Sequence, residues 1–206
     1  MARFCPKGWK GLSGQVGNVI FATVRGVPYM KARPAEMKDC RSELQLYYRE
    51  RMCGAVTFYG IIRQTRLARV WKMTGVQKKR SAYNLFVQAN IRAFDGMKLL
   101  HELVRFSSGD LYLPNHVRAY RVEDKVRLTW ENEDVVSDER LKDELWCVVM
   151  TEEKEFRIIG PEETKSTRED KTAEIGLPGE QGKVHLYCFF GTANREVFSE
   201  NLHFEL

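Results

Sequence analysis

The chain has 206 residues, of which 43% are hydrophobic and 11% aromatic, a composition too apolar for a disordered chain. Its 33 Lys and Arg stand against 28 Asp and Glu, a formal charge of +5. There is no run of the roughly 18 apolar residues that a transmembrane helix needs, and Met1–Lys10 lacks the apolar stretch of a signal peptide, so the expectation is a cytoplasmic protein with no membrane partner.

The five cysteines, Cys5, Cys40, Cys53, Cys147 and Cys188, include no C-x-x-C pair. That spacing argues against a zinc knuckle or a disulfide framework and for packed free thiols. The charge is unevenly spread. Residues 1–105 hold 20 Lys and Arg and 6 Asp and Glu, whereas residues 106–206 hold 13 and 22. A basic front half should attract a polyanion (a nucleic acid, an acidic membrane or an acidic protein surface), or the acidic half of a neighbouring copy or of its own chain. Plain solvation of helix faces is the alternative.

In chain order, Gly8, Gly11, Gly14 and Gly17 form a repeat too short for a collagen-like helix. The stretch also lacks the Gly-Lys-Ser/Thr ending of a phosphate loop, so it reads as tight turns leading into strands. Val19–Val24 is β-branched and aromatic, Arg25-Gly26-Val27 can turn, and Tyr29–Arg33 can return before Pro34, which predicts a hairpin. A helix is predicted from about Arg41 to Gln64, with Leu44, Tyr47, Tyr48, Met52, Ala55, Phe58, Tyr59 and Ile62 on one face. Asp39 is its expected cap, and Gly54 and Gly60 point to close packing or a bend. A second helix starts after Ser81, with Ala82, Leu85, Phe86, Ala89 and Ala93 on one face. Lys78-Lys79-Arg80 precedes it. Cations at a helix N-terminus oppose the helix dipole, so the triplet reads either as a holder of something anionic or as an exposed loop. Lys79–Phe86 resembles the opening of a high-mobility-group box, but the further basic helices such a box needs do not follow. Trp71 and Tyr83 are therefore expected in the core.

From Leu111 the pattern turns to short strands. Val126, Leu128 and Trp130 alternate with Arg127 and Thr129, and Leu145–Val149 and Val184–Phe190 are apolar on both faces, as central strands are. Phe156–Ile159, Lys171–Leu177 and the stretch from Val197 to Leu206 complete six or seven strands, the pattern of a small β-sandwich. Cys147 and Cys188 are expected on neighbouring strands, near Trp130. The fold class expected is α+β: an N-terminal β-hairpin plus two helices over residues 1–105, and an immunoglobulin- or fibronectin-like β-sandwich over residues 106–206.

Several stretches carry a family resemblance. They are Gly14–Phe21, Gly26–Pro34, Ser42–Arg49, Ser81–Asn90, Leu128–Trp130, Leu177-Pro178, Gly182–Tyr187 and Phe198–Asn201. Together they resemble a family of uncharacterised two-part proteins common in Bacteroidetes. The resemblance implies a fibronectin type III-like sandwich at the C-terminus and brings no catalytic residues. Lys38-Asp39-Cys40-Arg41 departs from the family's usual Asn-Pro-Arg-Thr. Similar front segments in phage-related proteins extend the expected setting to a virion or prophage.

No catalytic signature emerges. His101, His116, His185 and His203 show no i, i+3 or i+4 pairing, and neither H-E-x-x-H nor G-x-S-x-G occurs. His185 reads as a structural histidine, His101-Glu102 lacks catalytic partners, and Glu152-Glu153 and Glu162-Glu163 read as solvated loop pairs. The expected function is non-catalytic binding or assembly, with no metal and no cofactor. Arg63, Arg66, Arg69, Lys72, Lys78, Lys79 and Arg80 would hold a polyanion or acidic protein surface, and the sandwich would act as an interaction module. The alternatives are a structural component of a phage-like or multi-copy assembly, in which basic and acidic halves of adjacent copies meet, and an enzyme of unrecognised class.

Overall fold

The computed structural model describes residues 13–24, 26–34, 41–151, 155–177 and 182–206. The expectations placed on Cys5, Gly8, Gly11, Arg25, Lys38, Asp39, Cys40, Glu152, Glu153 and Pro178 lie outside these residues. The fold is α+β, and the chain divides into two compact units after Ser42.

The first unit is one antiparallel sheet of β1 (Gly14–Val16), β2 (Val19–Val24) and β3 (Val27–Ala32), in that order. Val24 pairs with Val27 and Val16 with Val19, so each turn has two residues, and Gly26 and Gly17 supply the positive φ that such turns require. The expected hairpin is present, with β1 added at its edge. None of the described residues of this sheet is buried.

The second unit opens with α1 (Glu43–Ile62), α2 (Leu67–Gln77) and α3 (Ala82–Asn90), followed by a ribbon of β4 (Phe94–Asp95) and β5 (Lys98–Leu99). Three helices stand here where two were expected. Leu67, Val70, Trp71 and Thr74 of α2 lie at i, i+3, i+4 and i+7, and all are buried. The apolar stripe of α1 buries only at its C-terminal end, through Ala55, Phe58 and Ile62, while Leu44 (64% exposed) and Tyr48 (53%) face solvent. A side chain on Gly54 would collide with the Phe94 ring, so this glycine permits close approach. Trp71 is fully buried, whereas Tyr83 is 36% exposed and rests edge-on against Tyr59.

Seven strands follow: β6 (Asn115–Val122), β7 (Lys125–Glu131), β8 (Glu144–Thr151), β9 (Phe156–Ile159), β10 (Thr172–Gly176), β11 (Val184–Gly191) and β12 (Leu202–Glu205). Short helices α4 (Asp138–Leu141) and α5 (Pro161–Thr164) interrupt them. The strands make two antiparallel sheets, β10-β7-β6 and β12-β11-β8-β9. Between these sheets lies one core of Val126, Leu128 and Trp130, Leu145, Cys147 and Val149, Ala173 and Ile175, and Leu186, Cys188 and Phe190. Cys147 and Cys188 are register partners on β8 and β11 and are free thiols, both pushed up in pKa by burial.

The opposite face of β8 and β11 carries Trp146, Val148, Met150, Tyr187 and Phe189, and it shares a second core with α1, α2 and α3. Phe58 joins them, with ring centroids 5.7 Å from Phe86, 5.8 Å from Phe106 and 6.2 Å from Phe156. The unit is therefore three layers deep: helices, a four-stranded sheet and a three-stranded sheet. Residues on both sides of Arg105 share one core, and the division after Ser42 is the one the packing makes. Among the described residues no helix is long and apolar enough to cross a membrane.

Residues 104–107 link the helical layer to the strands, and two buried asparagines hold them. Asn90 donates to the Arg105 carbonyl (2.9 Å) and accepts from its N–H (2.8 Å). Asn201 accepts from the N–H groups of Phe106 (2.9 Å) and Ser107 (3.4 Å) and donates to the Val104 carbonyl (3.1 Å). An amide side chain is both donor and acceptor, so it can replace a neighbouring strand for an extended segment that lacks one. Asn201→Ala leaves these buried groups unpaired and should cost about 2–4 kcal/mol in urea unfolding. A loss under about 0.5 kcal/mol, the range of ordinary surface changes, would show that the clamp is dispensable.

Candidate functional site

The seven cations expected to hold a polyanion or acidic protein surface are all exposed and are spread over the length of α2 and its two flanks. Arg63 follows α1, Arg69 and Lys72 lie on α2, and Arg66 and Arg80 flank α2, whose 11 residues span about 17 Å. Arg66 faces the acidic half of its own chain, 3.5 Å from Glu162 and 3.0 Å from Glu163. Those carboxylates also bind Arg195 (2.6 Å) and Arg157 (3.1 Å). The hydrogen bond from Arg157 is the strongest side-chain influence lowering the Glu163 pKa; for Glu162 a backbone N–H leads, followed by Arg195. Among the described residues, Arg63, Arg69, Lys72 and Lys79 enter no ion pair.

Lys78 and Arg80 do come together, with Arg105, a residue outside the expected set. They line a cleft of about 660 Å³ that is also walled by Leu85, Gln88 and Ala89 of α3, by Ser107 and Ser108, and by Glu200. Arg80 donates to the Gln88 side-chain oxygen (2.9 Å), and Arg105 donates to the Asn201 carbonyl (3.0 Å), so both guanidinium groups are anchored at one nitrogen. Lys78 lies 3.5 Å from Asp110. Ser107 is fully buried, and among the described residues its hydroxyl has no hydrogen-bond partner. The sequence held no periodic signal for Arg105 or Ser107, because they lie on an irregular link that only the asparagine clamp positions.

Lys78-Lys79-Arg80 sits where the unforeseen α2 ends. The Arg80 N–H reaches the Gly75 carbonyl (2.9 Å) and the Lys79 N–H reaches Val76 (3.2 Å), a Schellman cap with Lys79 at φ 52°. Cations suit the negative C-terminal end of α2, so their place before α3 is electrostatically accounted for without a ligand. Ser81 caps α3 as expected, its hydroxyl accepting from the Asn84 N–H at 3.2 Å.

Three of the four histidines, apart in sequence, meet in space. The rings of His101 and His185 stack at 3.9 Å, and His185 Nδ1 lies 3.0 Å from His203 Nε2. The Tyr187 hydroxyl donates to the His101 carbonyl (2.8 Å), and burial raises its pKa. The nearest-strand register, His185 opposite Glu205 and Tyr187 opposite His203, creates this group. Among the described residues no three His, Cys, Asp or Glu side chains are placed to hold a metal ion. A buried pair, Arg168 and Asp143 (3.5 Å), lies beside Trp130, whose indole N–H donates to the Arg168 carbonyl. Burial pushes the Asp143 carboxyl up to about 6, against the pull of Arg168 and Arg140.

Two measurements test this description. Glycine accepts a left-handed backbone without a Cβ clash, so Lys79→Gly should stabilise the protein by about 1 kcal/mol in urea unfolding. An unchanged midpoint would show that Lys79 is unstrained. Burial, and then the charge of His185, lowers the His203 pKa from its ordinary 6.5, while Glu205 acts weakly the other way. The folded state therefore disfavours protonated His203. Its contribution is full above pH 6.5 and is lost as pH falls through and below that value. Thermal melts should show that loss on acidification, and a smaller one in His203→Gln. Equal slopes would remove His203 as a source of pH sensitivity.

No curated protein matches the chain in sequence comparison. Its resemblance to an uncharacterised family is borne out at that level: the profile of a family of unknown function, DUF6266, matches residues 11–199, and the chain belongs to that family.

Proposed function

We propose that this is a non-catalytic binding protein. Its helical layer contacts an anionic partner, a nucleic acid or an acidic protein surface, and its seven C-terminal strands form an immunoglobulin- or fibronectin-like sandwich that serves as an interaction module. The observation that carries the first half is the convergence of Lys78, Arg80 and Arg105 on one cleft beside an unpartnered buried hydroxyl. The strand order supports the second half. The first, second and fifth of the seven strands share one sheet and the other four share the second, as in Greek-key sandwiches of that class.

The anionic contact is narrower than the charge of the front half implies. Arg66 is already neutralised by Glu162 and Glu163, and Lys78 is partly offset by Asp110. The same pairing weakens the head-to-tail assembly reading, since some of the charges it needs are used within one chain.

Fluorescence anisotropy with labelled single-stranded DNA, duplex DNA and poly-glutamate tests the reading. At least one polymer should bind, and binding should weaken steeply from about 50 to about 500 mM salt, because anion contacts release counterions. It should fall further in the Lys78→Glu/Arg80→Glu variant. Absence of binding to all three polymers, or binding indifferent to salt, would overturn it.

A further inference from the structure

The geometry points to the cleft of Lys78, Arg80, Arg105 and Ser107 as a binding site for a phosphate monoester. This deepens the binding reading above by naming the ligand chemistry of that site. Three observations carry it. The first is charge. Three cations and one carboxylate, Glu200, line the cleft, and Asp110, outside the lining, offsets part of the Lys78 charge, which leaves an excess of between one and two positive charges for an anion such as a phosphate monoester.

The second is the direction of the donors. They come from three separate segments: the α2 cap (Lys78, Arg80), α3 (Gln88) and the clamped link (Arg105, Ser107, Ser108). Donors that surround a volume suit a tetrahedral anion with three terminal oxygens, whereas a planar carboxylate is satisfied by one guanidinium fork. Each guanidinium has five N–H donors, and the bonds to Gln88 and Asn201 leave most of them for a ligand.

The third is Ser107. Its hydroxyl is one of several buried polar atoms that lack a partner among the described residues, a condition that costs about 1–3 kcal/mol, and it is the one of them whose residue lines the cleft. Asn201 holds the Ser107 N–H and Asn90 holds Arg105, so the segment is set before any ligand arrives. Leu85 and Ala89 give one wall an apolar character that fits the carbon skeleton of an ester rather than a bare ion. Such a monoester could be a small metabolite or a phosphorylated side chain.

Isothermal titration of the full chain at constant ionic strength tests this, with inorganic phosphate, glycerol 3-phosphate and the capped peptide Ala-phosphoserine-Ala as probes. All three should bind. The tighter of the two esters identifies the source, and either order supports the site. Arg80→Ala and Ser107→Ala should each weaken binding roughly tenfold, the worth of one hydrogen bond to a charged group. Glu200→Gln should strengthen it several-fold, a gain that misfolding cannot produce. Phosphate that fails to bind, or that binds equally to wild type and all three variants, overturns the site. So does duplex DNA that competes as well as the esters, since its diesters lack the second charge. If the esters fail while a polymer still binds with salt dependence, the phosphate site falls and the broader binding reading stands. If every anion fails, both fall.

Discussion

Strands β8 and β11 are apolar on both faces, and the rest of the second unit is arranged to keep water from each. One face, with Leu145, Cys147, Leu186 and Phe190, is closed by the sheet of β6, β7 and β10. The other, with Trp146, Val148, Met150, Tyr187 and Phe189, is closed by α1, α2 and α3. Leaving a large apolar side chain in water forfeits about 1.5–3 kcal/mol, so exposure of either face would exceed the net stability of an ordinary domain. The helices are thus the cover of a sheet, and their basic exposed faces follow from that role.

Covering the sheet from the helical side obliges the chain to cross from one layer to the next, and it crosses at residues 104–108. The crossing is irregular and has no strand partner on this segment. Asn90 and Asn201, both buried, act in place of one. Their amides fix Arg105 and Ser107 against α3 and against the Schellman turn of Lys78–Arg80. The cleft is therefore a product of layer crossing, and its rigidity comes from two uncharged side chains outside its lining.

The charge asymmetry of the sequence is partly resolved inside the molecule. Arg66, from the basic half, joins Glu162 and Glu163 in a network that continues through Arg157 and Arg195 to Glu144. Exposed pairs of this kind contribute little stability individually, but they withdraw charge from any external partner. What remains concentrated in one place is the trio of Lys78, Arg80 and Arg105.

Much of the fold was legible because its signals are local. Alternation set β7, two-sided apolarity marked β8 and β11 as central, 3.6-residue spacing found α1 and α3, and Ser81 announced its own cap. The helix α2 carries the same spacing at Leu67, Val70, Trp71 and Thr74 but was not among the expected helices, although Trp71 was expected in the core. Only the tertiary structure decided which cations meet, that Lys78–Arg80 end one helix as well as precede another, and that His101, His185 and His203 share a place. The reason is physical: periodicity is a property of neighbours along the chain, whereas convergence depends on strand register and on two asparagines far apart in sequence.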